Sequence, residues 1–197
     1  MARSRAKDYD DKRSALLHRA AEIFAREGFD RASMSRLAAE CGVSKALLYH
    51  YYASKDALLF DIVESHLKML IEAVREADAD ELEPQARLHA LVAALLEAYR
   101  DADAEHRVQI EGLRLLPPDE QDRLKALERE LVTIFADAIR ALNPDAFEGK
   151  ALLKPVTMSL FGMLNWFYMW FRDDGAVSRA EYAALATQLI VGGVRSL

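Results

Sequence analysis

Three features of the sequence predict an all-α protein. Apolar residues recur every three to four positions along almost all of its 197 residues. Sustained alternation is absent, and no Asn-Gly or Asp-Gly pair stands between alternating apolar runs as a hairpin turn would. Ala, Leu, Glu and Arg, all good helix formers, abound, against 8 Gly and 5 Pro.

The elements follow in order. Leu17, Ala20, Ala21 and Phe24 make one apolar stripe, and Gly28 ends that helix. Ser33 is placed to cap a short helix through Glu40. Gly42 breaks it, and Ser44 caps a second short helix. Ser54 caps a third, with Asp56 in the first turn, where the helix dipole favours a carboxylate. That helix carries Leu58, Leu59, Ile62 and Val63 and runs to about Ala77. "DADELEP" (78–84) reads as a linker. Leu88, Leu91, Val92, Leu95, Leu96 and Tyr99 mark the next helix. After "DADAE", a helix from about Ala104 carries Val108, Leu113 and Leu116 and stops at Pro117-Pro118. Asp119 is placed to cap a long helix with Leu124, Leu127, Leu131, Ile134, Phe135, Ala138 and Leu142. "NPDAFEGK" reads as a loop, and Pro155 as the start of an apolar helix that "RDDGAVS" ends at Gly175. Ser178 and Glu181 form a capping box for a last helix with Tyr182, Leu185, Leu189 and Ile190. The count is about nine helices.

Composition narrows the function classes. The 52% hydrophobic content supplies a core, and one cysteine, Cys41, cannot form an internal disulfide, which fits a reducing, cytoplasmic setting. The basic start "MARSRAKDYD" lacks the apolar run of a signal peptide. The most apolar stretch, "VTMSLFGMLNWFYMWF" (156–171), is shorter than the roughly 20 residues of a spanning helix and is expected to be buried in protein. The net charge of −6 is uneven: residues 1–56 hold 11 basic against 8 acidic residues, and residues 57–197 hold 15 against 24. A basic start on an acidic body suits a polyanion-binding module, residues 1–56, on a scaffold, residues 57–197.

A helix, a four-residue turn with glycine and a second helix make the helix-turn-helix plan. Ala38 allows the two helices to approach, Gly42 supplies the turn, and Val43 and Leu48 fill the space between them. The second helix then exposes Ser44, Lys45, Ala46, Tyr49 and His50, in the manner of a helix whose leading residues reach base edges in a major groove. Lys55, at the start of the next helix, is placed to reach a phosphate.

"GFDRASMSRLAAECGVSKALLYHYYASKDALL" (28–59) resembles the DNA-binding domain of TetR-family repressors, whose pattern runs glycine, aromatic, Ser/Thr, then "IA..AGVS…LY.YF..K..L". The resemblance spans residues 10–60, and the nine-helix outline extends it to the whole chain. It implies DNA contacts from Ser33, Ser35 and Arg36 as well as from Ser44, Lys45, Ala46, Tyr49, His50 and Lys55, with Tyr52 in the core and Tyr51 ambiguous. Cys41 stands where the family has Ala and is expected to be a buried, inert thiol.

The same resemblance implies a helical ligand-binding and dimerisation domain after residue 60. Its last two helices would pack with their mates, through residues such as Leu164, Phe167, Leu185, Leu189 and Gly192, and Gly162 and Gly193 also permit close approach. "LFGMLNW" is similar to a branch that senses CoA thioesters in fatty-acid, steroid or phenylacetate breakdown. This implies an acyl site at Leu113, Phe135, Phe161, Asn165, Trp166 and Trp170, and a nucleotide near cations such as Arg107, Arg114, Lys150 or Lys154. A buried Asn165 amide needs a partner in the ligand, the mate or the backbone. A neutral drug-like ligand would use the same aromatics without the cations.

No HExxH, GxGxxG, GxSxG or CxxC motif is present, and the five histidines (18, 50, 66, 89, 106) lack metal-ligand spacing. His66 is read as a surface or packing residue. The expectation is a homodimeric, ligand-responsive repressor that releases a palindromic operator, with no enzymatic activity, cofactor, metal or membrane partner. An all-helical scaffold or a motif-free enzyme is the alternative of another class.

Overall fold

A computed structural model describes residues 2–79 and 81–197, with side chains from residue 12 onward. The side chains of the basic start up to residue 10, and residue 80 of the expected linker, lie outside the described residues. Among the described residues there are ten α-helices and no strand: α1 (Ala2–Glu27), α2 (Met34–Glu40), α3 (Lys45–Tyr51), α4 (Lys55–Ala77), α5 (Pro84–Ala98), α6 (Asp103–Gly112), α7 (Pro118–Leu142), α8 (Pro144–Phe147), α9 (Leu153–Asn165) and α10 (Arg179–Arg195). Single 3-10 turns follow α6 at Leu113–Leu115 and α9 at Phe167–Met169. None of these helices is long and apolar enough to cross a membrane.

The chain forms two compact units. One holds residues up to Lys68 together with Asp101–Lys125; the other holds Met69–Arg100 and Ala126–Leu197. In the first, α1 buries Leu16, Leu17, Ala20, Ala21, Ile23 and Phe24, the face that a period of 3.6 collects. Gly28 then takes φ +84°, and its N–H closes on the Phe24 carbonyl at 2.9 Å, ending the helix. α6 packs on α1 and runs close to α4, where a Cβ on Gly112 would meet Leu59 Cδ1 at 3.0 Å. In the second unit α5 and α10 pack together. Their core joins Leu88, Leu91, Leu95 and Leu96 to Phe135, Leu160, Phe161, Leu164, Ala183, Ala186, Ile190 and Val194.

Three expectations are corrected. α7 begins at Pro118 with Asp119 inside its first turn, because proline at the first helical position loses an N–H that has no partner there. The "NPDAFEGK" stretch contains the one-turn α8: the Asn143 side chain accepts from the Ala146 N–H at 3.4 Å, and Ala146 and Phe147 are buried. The apolar helix starts at Leu153, leaving Pro155 in a first turn whose N–H groups need no intrahelical carbonyl. That helix also stops at Asn165 instead of reaching Gly175. Past it the chain folds back so that Phe167 stacks on Phe171 (4.1 Å) and on Tyr182 (4.9 Å).

Candidate nucleic-acid interface

The site is assembled from local rules. Ser33 takes extended angles and its Oγ accepts from the Arg36 N–H at 3.3 Å, starting α2. Gly42, at φ +67°, turns the chain, and the Val43 N–H returns to the Ala38 carbonyl at 3.0 Å. Ser44 then caps α3 through the Leu47 N–H at 3.1 Å. Ala38 is buried between the helices.

α3 turns only Leu48 into the core. Lys45, Ala46, Leu47, Tyr49 and His50 are exposed together, with the Lys45 Nζ 5.8 Å from the Tyr49 ring centre. Leu47 was missed by sequence reasoning. Its neighbour Leu48 fills the inward position of a seven-residue helix, so a second leucine must point out. Tyr51 is half-buried, with His50 edge-on at 5.9 Å on one side and Tyr52 stacked at 6.4 Å on the other. Cys41 is half-exposed rather than buried, and partial burial pushes its thiol pKa up, against thiolate chemistry.

Polar ties hold this head in place. The buried Tyr52, which ends α3, donates its hydroxyl to Asp61 Oδ2 on α4 at 2.5 Å. Asp61 also accepts from Arg13 of α1 and from Ser65 (3.3 Å). Burial, then the neighbouring Asp61 carboxylate, drives the Tyr52 hydroxyl pKa far above its ordinary value. Arg36 spans Glu27 (2.7 Å) and Glu40 (3.0 Å), and Arg26 joins the same two carboxylates.

Lys55 stands elsewhere than a phosphate-reaching side chain would. Its ammonium donates to the carbonyls of Phe29 (2.6 Å) and Ala32 (3.0 Å) and lies 4.1 Å from the Phe29 ring centre. Two of its three N–H bonds thus fasten the α1–α2 loop to the start of α4. Of the other expected DNA contacts, Ser33 and Ser44 spend Oγ on capping and Arg36 on ion pairs, while Ser35, Lys45, Ala46, Tyr49 and His50 are exposed.

The expected effector residues fall in both units. In the second, Phe135 and Phe161 are buried edge to face at 5.1 Å, and Asn165 accepts from the buried Tyr99 hydroxyl at 2.9 Å. Trp166 and Trp170 instead stand 59% and 49% exposed, because the chain turns away from the helix after Asn165. Leu113, Arg107 and Arg114 belong to the first unit; Arg107 pairs with Glu111 at 3.0 Å, and Arg114 is exposed. Lys150 and Lys154 are exposed in the second unit. The expected dimer set also divides. Leu164 and Phe167 are buried within the chain's own core, so they are corrected from interface to core. Leu185, Leu189 and Gly192 are exposed, with Met158 and Gly162 open on α9.

His66 is a core residue: it packs against buried His106 with ring centres 6.0 Å apart. Burial, reinforced by His106, pushes its pKa down to about 3. No group of three potential metal ligands exists among the described residues.

Two family models match this chain: bacterial regulatory proteins of the tetR family over residues 16–62, and the tetracyclin repressor-like C-terminal domain over residues 81–194. The chain belongs to the TetR family. It is therefore a DNA-binding transcriptional regulator and not an enzyme. This TetR-family chain is 29% identical over 130 residues to the transcriptional activator FasR of Mycolicibacterium smegmatis, covering 66% of this chain and 59% of FasR. It is 25% identical over 190 residues to the transcriptional repressor KstR2 of Rhodococcus jostii, covering 94% and 92%. A TetR-family regulator from Bordetella parapertussis superposes with a TM-score of 0.85 at 37% identity, over 94% of this chain and 96% of that one. AibR, solved with isovaleryl coenzyme A and operator DNA, shares the fold with a TM-score of 0.75 at 24% identity, over 92% and 97%.

Proposed function

We propose that this regulator is a homodimeric repressor that reads a palindromic operator through residues 1–56. Effector binding and dimerisation are assigned to residues 57–197. The observation that carries the reading is α3, which buries Leu48 alone and holds Lys45, Ala46, Leu47, Tyr49 and His50 outward on a head braced by Tyr52 and Asp61. Lys45, Tyr49 and His50 supply donors to phosphates and base edges, and Ala46 and Leu47 supply apolar contact for a thymine methyl. Ser35 reaches the backbone from the start of α2. A palindrome demands two copies, and the open faces of α9 and α10, with Leu185, Leu189 and Gly192, supply the joint. Repression is favoured over activation by a relative aligned along nearly the whole chain, the repressor KstR2.

The effector is an acyl- or aryl-CoA thioester, in keeping with AibR, which binds isovaleryl coenzyme A on the same fold. The acyl group lies against Phe135, Phe161 and Asn165, entering by parting the aromatic pair and competing for the Tyr99–Asn165 bond. Lys154 is the cation of the same unit assigned to the phosphates. The test titrates the complex with the gene's own upstream DNA using CoA thioesters, their free acids and free CoA, read by fluorescence anisotropy. Release by thioesters is expected at concentrations where free CoA and the free acids do not yet act. Failure to bind that DNA rejects the repressor, and release by free acids with thioesters inert rejects the effector class.

A further inference from the structure

The first unit contains a cleft of about 290 Å3 between the end of α1, the loop after it, α4 and the end of α6. Phe24, Phe29, Leu59 and Val108 give it an apolar floor, and Arg31 and Arg114 stand among its polar lining. Glu27, Asp30 and Glu111 also line it. The acids are largely neutralised from outside: Glu27 is paired with Arg26 and Arg36, and Glu111 with Arg107. The two lining arginines are not. Arg31 donates its Nε to the Glu27 carbonyl at 2.7 Å, and neither guanidinium has a carboxylate within ion-pair distance among the described residues. Uncompensated charge in the cleft is therefore Arg31 and Arg114 against Asp30, an excess of one positive charge over an aromatic floor.

We propose that this cleft is a second small-molecule site, distinct from the Phe135–Phe161 site, and that its ligand is a small aromatic or branched carboxylic acid. The carboxylate faces Arg31 and Arg114, and the hydrocarbon lies on Phe24, Leu59 and Val108. Guanidinium-to-carboxylate hydrogen bonds are charge-assisted and so orient the ligand as well as hold it. The volume sits at the bottom of the roughly 300–1,000 Å3 range of ligand sites, which admits a monocyclic acid but not a whole CoA thioester. Occupancy is transmitted through Phe29. Its carbonyl and ring hold Lys55, which fastens the loop leading to α2, so a ligand that shifts Phe29 loosens the support of the reading head. The acid released when a thioester is hydrolysed has this chemistry, so the product class of such a reaction would act on the same regulator.

Titration calorimetry on the full chain with benzoate, phenylacetate and their uncharged amides tests this. The acids should bind at least about tenfold more tightly than the amides, since only they engage the guanidiniums. Arg114→Gln should weaken acid binding by about tenfold or more. Leu115→Trp, at an exposed lining position, should abolish it by filling the cleft, with circular dichroism confirming that both variants fold. Saturating benzoate should also weaken operator binding by the parent and not by Leu115→Trp. The proposal is overturned if no acid binds below about 10 mM, where affinity is too weak to be specific. It is equally overturned if amides bind as well as acids, or if neither variant changes acid binding.

Discussion

The reading unit and the C-terminal unit are held together by different physics. Around α3 the decisive contacts are directional: Tyr52 and Arg13 on Asp61, Lys55 on two carbonyls, Arg36 between two glutamates. Such bonds fix angle as well as distance, which is what a helix entering a groove requires. The C-terminal unit is an apolar core of leucines, alanines and aromatics, with Tyr99–Asn165 a polar contact inside it. Apolar packing is non-directional and can be rearranged at modest cost when volume is conserved. A regulator needs both: a head that keeps its shape and a body that can exchange one packing for another.

The largest expected effect comes from the outer face of the body. Leu189 is 57% exposed on α10, with Gly192 and Gly193 open beside it. The proposed interface there would link two reading heads, and such a link raises operator affinity by roughly 10²–10⁴ through effective concentration. Leu189→Asp should yield monomers by sedimentation velocity and lose affinity by that order. A parent that sediments as a monomer at micromolar concentration would break the comparison, because the open face would then have no mate.

Next is the Asp61 tie. Asp61→Ala leaves the Tyr52 hydroxyl and the Arg13 guanidinium without their shared acceptor. Urea denaturation should show a loss of about 1–3 kcal/mol, the usual penalty for a stranded polar group. Tyr52→Phe removes one bond and should cost about 1 kcal/mol. The double variant should cost less than the sum, since both remove the same contact. Additive losses would mean that the two side chains act independently and that the head is not braced as described.

The two lysines of the reading unit sharpen the contrast further. Lys45 is exposed on α3, whereas Lys55 is spent on Phe29 and Ala32. Lys45→Ala should lower the salt slope of operator binding by roughly one unit with no measurable loss of stability. Lys55→Ala should lower stability by about 1 kcal/mol or more and leave the salt slope near the parent value. A slope change for Lys55→Ala would return that lysine to the phosphate role expected from its position.

What was legible in the sequence follows the same division. Ser33, Ser44, Ser54 and Ser178 were assigned as caps because their partners lie three residues away, within reach of local reasoning. Leu48 inward and Lys45, Tyr49 and His50 outward followed from helical period. Lys55 was not legible, because its carbonyl partners lie 26 and 23 residues back along the chain. Leu164 and Phe167 were placed at the interface because α9 is apolar on several faces, and period alone does not say which face its own subunit covers. Trp166 and Trp170 depended on the break after Asn165, which follows from the stacking of Phe167 with Phe171 and Tyr182.

The smallest effect tests a buried polar residue in the reading unit that is not part of its bracing. His66 faces His106 within the unit, while His18 and Glu105 pair nearer the surface at 2.7 Å. The folded pKa of His66 is lowered to about 3, so the folded state keeps it neutral across the physiological range. The unfolded chain binds a proton there as pH falls through about 6.5, and the folded chain does not. Stability should therefore be fullest above that value, fall as pH drops through it, and stop falling only near pH 3. Between pH 7 and 5.5 the loss from this one group is about 1 kcal/mol. His66→Phe removes the titration, so its urea midpoint should vary less with pH over that interval than the parent's. Equal pH dependence in parent and variant would mean that His66 protonates in the folded state, so that the pocket around it is wetter or more acidic than its burial implies.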